Sequence, residues 1–280
     1  MKTILITGAT DGIGLETAKM LAQKGHHILL HGRSADKLHK VKQMLMDEYA
    51  KPEQEGQLGS LNVSTLCADL SRFADLRGLV NEIKSSVSQL DVIINNAGVF
   101  VTSNPTTGEG LDVRFMVNTL SPYVLSTELL SLMPEDGRVI NVSSAAQAPV
   151  DVNLVGAPPS LSDGLAYAQS KLALTMFTQF LGEKYSETGP SFISVNPKSL
   201  LGSKMVKEAY GIAGGNLKEG AEIFVKAALS ESFAKVKGAY FDNDAGRFAA
   251  PHGFALSQDN RTALISSLHA VLDKHYVEAT

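Results

Sequence analysis

Tyr167 and Lys171 stand four positions apart in Ala-Tyr-Ala-Gln-Ser-Lys, and Ser143-Ser144 ends an apolar run upstream. On a helix that spacing puts a phenol and an ammonium on one face, where both can act on the same proton. A free phenol titrates near about 10 and exchanges protons poorly at neutral pH. A cation changes this. At roughly 4 Å and an effective dielectric near 20, a unit charge is worth about 4 kcal/mol, against about 1.4 kcal/mol per pKa unit. Half of that brings the phenol close to working pH. Tyr–Lys pairs also arise by chance on surface helices, so the deciding question is whether a cofactor site precedes this one.

The N-terminus supplies such a site. Lys2 to Thr7 is a short β-branched apolar run, predicted as a buried strand, and Gly8-Ala9-Thr10-Asp11-Gly12-Ile13-Gly14 follows at once. Leu15 to Lys24 then carries Leu15, Ala18, Met20, Leu21 and Ala22 on a broad apolar face, predicting a helix. Strand, glycine-rich turn and helix is the context a dinucleotide site requires. The glycines allow a sharp turn and bring backbone N–H groups to a pyrophosphate at the positive end of the helix. A Gly-x-Gly-x-x-Gly reading from Gly12 fails at Thr17, whereas Thr-Gly-x-x-x-Gly-x-Gly fits from Thr7 to Gly14 without a gap.

The same order continues with Asp69, Asn95-Asn96-Ala97-Gly98, Asn118, Ser144, Tyr167, Lys171 and Asn196-Pro197. In these landmarks the chain resembles the short-chain dehydrogenase/reductase family over most of its length. The resemblance implies a doubly wound, mainly parallel α/β sheet of Rossmann type with helices on both faces, as one domain over residues 1–280. It implies Tyr167 as general acid or base and Ser144 as hydrogen-bond partner of the substrate oxygen. It gives Lys171 the nicotinamide ribose and the phenol pKa, and Asn118 a water in a proton relay. The cofactor shell it implies begins with Thr7, Gly8, Thr10, Asp11, Gly12, Ile13 and Gly14. Asp69 and Leu70 follow near the adenine, then Asn96, Ala97, Gly98 and Pro197, with Tyr167 and Lys171 closing the shell.

Residue chemistry bears on these roles separately. Arg138 to Val142 is another predicted strand, which places Ser143 and Ser144 at a strand end, where open α/β sheets put their ligands. Ser143 reads as a turn hydroxyl bonded to nearby backbone. Asn118 lies in a long apolar periodic segment from Val113 to Leu132, where an amide needs partners. Asn95 to Gly98 reads either as a polar turn or as part of the cofactor site, and motif order favours the site. Asp69 serves the adenine or helps start the next helix with Ser71, and the two readings are compatible.

The nicotinamide cofactor is chosen at the end of the second predicted strand, His27 to His31. An acid there takes the ribose hydroxyls of NAD, and a cation accommodates the extra phosphate of NADP. Gly32-Arg33-Ser34 holds no acid, so NADP is expected over NAD, with Arg33 as main phosphate contact and Ser34 as second. The competing reading makes Arg33 a solvated charge before a helix that Ser34 caps.

Composition fits a soluble enzyme. An apolar fraction of 44% supplies a core, and a formal charge of -4 of mixed sign argues against a nucleic-acid surface. The single cysteine, Cys67, is expected to be a small core residue, and a reducing cytoplasm is the natural compartment. The first predicted strand leaves no room for a signal peptide, and no apolar run approaches the roughly 20 residues that span a bilayer. The histidines lack metal-ligand spacing, so no metal site is expected. Oligomerisation through the long helices is an expectation from the family alone.

Two departures from the compact family pattern carry information. Ser144 and Tyr167 are 23 positions apart, with Pro149, Pro158 and Pro159 between them, which resembles the retinol-dehydrogenase-like and protochlorophyllide-reductase-like branches, where an insertion shapes the pocket edge. The turn Thr107-Gly108-Glu109-Gly110 points the same way. Lys198 stands where the family normally has glycine after Pro197. Lysine either strains a positive-φ turn or sits in solvent at negative φ, and the sequence leaves both open. Segments near 145–166 and 200–216 are expected to border the substrate as lids, and the second reads equally as a loop packed on the sheet. The expected activity is hydride transfer between NADP and a small carbonyl/alcohol substrate. Reduction of a carbon–carbon double bond and a non-catalytic NADP-binding redox sensor are the alternatives.

Overall fold

A computed structural model describes residues 1–49 and 61–277. The glycine turn joins β1 (Thr3–Ile6) to α1 (Gly12–Gln23), and the chain then alternates through β2 (His27–Gly32), α2 (Ala35–Tyr49), β3 (Val63–Cys67), α3 (Phe73–Ser86) and β4 (Val92–Asn95). Next come α4 (Val113–Phe115), α5 (Ser121–Glu128), β5 (Arg138–Val142), α6 (Asp163–Lys184) and β6 (Ser191–Asn196). The C-terminal part adds α7 (Lys204–Tyr210), α8 (Leu217–Leu229), β7 (Lys237–Asp242), the short β8 (Arg247–Ala249) and α9 (Gln258–Leu272).

The strands form one sheet in the order β3-β2-β1-β4-β5-β6-β7-β8. All pairs are parallel except β7 with β8. Alternation along the strands divides the core. Leu5, Leu29 and Ile93 face a layer holding Phe73, Leu125, Phe177 and Leu268, while Ile4, Ile6, Ile28 and Ile94 face one holding Leu21, Leu38 and Phe224. Both faces are covered, which is why the central strands read as continuous apolar runs. Strand order reverses between β1 and β4, and ligands of open α/β sheets bind in the crevice outside the strand ends at such a point.

Two sequence expectations change. Cys67 is exposed, at the last position of the edge strand β3. The segment from Val113 to Leu132 is not one α-helix. A π-turn, Met116–Leu120, lies between α4 and α5, and a 3-10 turn, Leu130–Leu132, ends it. Pro122 accounts for the break, since it has no N–H to give the carbonyl of Asn118 four residues earlier. No helix among the described residues is long and apolar enough to cross a membrane.

Candidate active site

The glycine turn is built against the end of β4. Thr7 Oγ1 accepts from the Ala97 N–H at 3.0 Å, and Asn96 Nδ2 donates to the carbonyls of Thr7 at 2.8 Å and Gly8 at 3.2 Å. Gly14 packs so closely that an added Cβ would stand 2.4 Å from Gly8 O and 2.5 Å from Asn96 Nδ2. Gly12 has a φ of +57°, and only Ser203 Cβ, at 3.9 Å, comes near where its Cβ would be. That open side faces the cavity. Asp11 caps α1, accepting from the Gly12 N–H at 2.7 Å.

His31, which the sequence reading passed over, ties this turn to β3. Its Nδ1 accepts from the Gly8 N–H at 3.4 Å and its Nε2 meets the Ala68 carbonyl at 3.1 Å, so the tautomer is the neutral one protonated at Nε2. Burial drives its pKa down to about 4, ahead of a hydrogen bond to the Ala68 carbonyl that works the other way. A histidine directly after the apolar run Ile28 to Leu30 was the signal in the sequence.

Arg33 is exposed at the cavity rim beyond β2, and Ser34 Oγ accepts from the Lys37 N–H at 3.4 Å, so Ser34 caps α2. Asp69 stands both in the turn before α3 and on the cavity wall. Its carboxylate accepts from Ser71 N–H at 2.9 Å and Ser71 Oγ at 2.8 Å, closing the turn before α3, and the residue also lines the cavity beside Leu70.

Tyr167 lies in the first turns of α6, which Ser162 caps, and Lys171 follows one turn later. Lys171 is 3% exposed and donates to the Val142 carbonyl at 2.7 Å. Burial brings its pKa down to about 8. Tyr167 is pushed up to about 12, chiefly by burial, against a hydrogen bond from Ser144 that favours the phenolate. The expected lowering of the phenol is therefore not found. Lys171 Nζ sits 5.7 Å from the centre of the Tyr167 ring and gives its bond to backbone, so desolvation prevails.

Ser144 Oγ accepts from the Ala146 N–H at 3.1 Å, while its carbonyl accepts from Gln147 Nε2 at 3.0 Å and Tyr240 OH at 3.3 Å. Ser143 is buried, and its hydroxyl pairs with Thr175 Oγ1 at 2.7 Å across the layer rather than with nearby turn backbone. Asn118 sits in the π-turn and is fully buried. Its Oδ1 accepts from the Val99 N–H at 2.8 Å, and its Nδ2 donates to Val99 O and Ser170 Oγ, both at 2.9 Å. The amide thus pins the exit of β4 to α6.

One cavity of about 920 Å³ is bordered by Gly8, Gly12 and Arg33 and by Ser144, Tyr167 and Lys171, whereas Thr7, Gly14, Ser34 and Asn118 do not line it. Gly98 and Pro197 also line it. Phe100, also missed in the sequence, stacks its ring 4.4 Å from that of Tyr167 and 5.9 Å from that of Tyr210 on α7. Of residues 145–166 only Ala145 and Ala146 reach the cavity. The rest of that segment packs elsewhere: Ser267 on α9 donates to the Val152 carbonyl at 2.7 Å, and Gly156 abuts Val271. The 107–110 turn is likewise structural, with Glu109 accepting from the Phe73 N–H at 3.3 Å at the start of α3. Residues 200–216 do border the cavity through Leu200, Met205, Val206 and Tyr210. Lys198 takes the strained alternative, with a φ of +115° and an ion pair to Glu219.

Comparison with known proteins agrees with this fold. Retinol dehydrogenase 12 of Bos taurus is 29% identical over 275 residues, covering 94% of this chain and 83% of that protein. Short-chain dehydrogenase TIC 32 A, chloroplastic, of Brassica napus is 28% identical over 262 residues, covering 85% and 79%. Among solved structures, an uncharacterized protein from Mycobacterium paratuberculosis shares the fold with a TM-score of 0.76 at 23% identity, covering 98% of this chain and 94% of its own. A short chain dehydrogenase from Burkholderia cenocepacia J2315, in complex with NADP, gives a TM-score of 0.66 at 22% identity, covering 91% and 98%. A family model described as short chain dehydrogenase matches residues 2–211. The chain therefore belongs to the short chain dehydrogenase family of oxidoreductases and resembles its retinol-dehydrogenase-like branch.

Proposed function

We infer that this enzyme is an NADP-dependent oxidoreductase acting on a carbonyl/alcohol pair, with Tyr167 moving the proton. The observation that carries this reading is that Ser144, Tyr167 and a buried Lys171 line the same cavity as the glycine turn.

The cavity suits the dinucleotide. The open side of Gly12 and the N-terminus of α1 would receive the pyrophosphate, where backbone N–H groups and the helix dipole favour an anion. Arg33, exposed at the rim and engaged in no ion pair among the described residues, would take the extra ribose phosphate with Ser34 at the start of α2. Asp69 and Leu70 would border the adenine, and Lys171 would hold the nicotinamide ribose. Bound NADPH supplies the hydride.

Ser144 orients the substrate oxygen, its own hydroxyl steadied by the Ala146 N–H. Tyr167, protonated at neutral pH, donates to that oxygen as negative charge develops on it. The Lys171 ammonium then stabilises the phenolate, which lies in low dielectric where a nearby charge counts most. Reprotonation from solvent would run through a water on the Asn118 carbonyl, to which Pro122 brings no N–H. Residues 200–216 would form the movable edge of the substrate end, with Tyr210 over Phe100.

Following NADPH absorbance over a panel of aldehydes and ketones tests the reading. Carbonyl-dependent oxidation with NADPH preferred over NADH is expected; a chain that binds neither cofactor contradicts it.

A further inference from the structure

Among the described residues three that bear side chains have left-handed φ, and two of them, Lys198 at +115° and Leu200 at +54°, fall in one turn after β6. The turn Pro197–Leu201 is also cavity wall. A φ near +115° is glycine territory, and a lysine stays there only when its surroundings over-determine it.

The surroundings that do so come from the polar turn after β7. Asn243 Nδ2 donates to the Pro197 carbonyl at 2.9 Å, and its N–H donates to the Asn196 carbonyl at 3.2 Å. Asp244 reaches both sides of the strained residue. Before it, Asn196 Nδ2 donates to Asp244 Oδ2 at 2.9 Å. After it, the Ser199 N–H donates to Oδ1 at 3.0 Å, and the Ser199 hydroxyl donates to Oδ2 at 2.6 Å. The carboxylate therefore closes a bridge across Pro197 and Lys198. Lys198 Nζ is held in turn by Glu219 near the start of α8. Neither the family landmarks nor the catalytic groups account for Asp244.

We propose that Asp244 is a positioning residue for cofactor binding, its carboxylate holding the Pro197–Leu201 wall in the left-handed course that a lysine would otherwise leave. The proposal rests on the NADPH reading above. Its distinctive consequence is dependence on Lys198. If the carboxylate offsets strain from a side chain at this φ, removing that side chain removes the need for the carboxylate.

NADPH titration by fluorescence, well below the unfolding temperature of each variant, tests this with Asp244→Ala, Lys198→Gly and the double substitution. In the wild-type background Asp244→Ala should raise Kd at least about tenfold, as expected when a charged hydrogen-bond partner is lost, and in the Lys198→Gly background less than about threefold. An equal loss in both backgrounds, as general destabilisation would give, overturns the proposal, and so does no loss in either. Should Asp244→Ala not fold, Asp244→Asn serves: the loss must again shrink in the Lys198→Gly background, and an unshrunk loss or none overturns the proposal. A wild-type chain with no affinity for NADPH contradicts the cofactor reading itself, whereas a binding wild type with background-independent variants contradicts only the role of Asp244.

Discussion

The Lys171 ammonium stands 5.7 Å from the centre of the Tyr167 ring and donates to the Val142 carbonyl at 2.7 Å, so it faces the aromatic ring without bonding the phenol. The two groups are consequently driven apart, burial carrying the lysine down to about 8 and the tyrosine up to about 12. The tyrosine is a stored acid throughout the neutral range, and the lysine is the group that titrates within reach. We expect kcat/KM for carbonyl reduction to fall above about pH 8 with a single deprotonation, since the cation that supports the phenolate is then lost. Lys171→Arg, which stays charged, should remove that limb even where it slows the reaction. An unmoved limb in the arginine variant assigns it to another group.

Arg33→Ala should raise KM for NADPH by about tenfold to a hundredfold and leave KM for NADH within about twofold, the range for one lost charge-assisted contact of about 1.5–3 kcal/mol. Steady-state kinetics with both cofactors measures it, and an unchanged ratio sinks the assignment of Arg33.

His31 gives acid stability a specific shape. Its folded pKa is depressed to about 4 from 6.5, so between those values the unfolded chain binds the extra proton. Stability therefore falls as pH drops from 6.5 towards 4, by on the order of 3 kcal/mol from this group, and the loss is complete below about 4. Charging the ring also removes the acceptor for the Gly8 N–H. Denaturant unfolding of His31→Gln against wild type should show a shallower acid limb; parallel limbs would contradict this.

Arg114 is 1% exposed, and its Nε and Nη2 donate to Asp112 at 2.8 and 2.7 Å while Nη1 reaches Asp163 in the first turn of α6. It therefore joins the start of the Asn118 segment to the helix bearing Tyr167. Arg114→Met leaves Asp112 buried without its partner, and we expect a loss of about 3–5 kcal/mol in unfolding free energy. A loss below about 1 kcal/mol would show that the pair does not secure these helices.

Local patterns reached the fold and the meeting of Ser144, Tyr167 and Lys171 at one cavity because their signals lie close in sequence. Tyr167 and Lys171 share a helical turn, and Thr7 to Gly14 is one strand–turn–helix junction. What escaped depends on partners far along the chain. Arg114 reads as an ordinary surface cation until Asp163 meets it, and Phe100 as a loop aromatic until Tyr167 stacks on it. Lys198 was legible as an anomaly but not as a solution, since Asp244 and Glu219 lie on other elements. The phenol pKa was misjudged for a related reason. Helical spacing gives the distance between two residues, while desolvation depends on everything packed around them.

The central claim is that Tyr167 moves the proton when a hydride is transferred. Single-turnover oxidation of NADPH by a carbonyl substrate, comparing wild type with a folded, NADPH-binding Tyr167→Phe variant, tests it most directly. The account predicts a rate at least about a hundredfold lower in the variant, the usual scale of a lost general acid. Transfer at the wild-type rate without the phenol would contradict it.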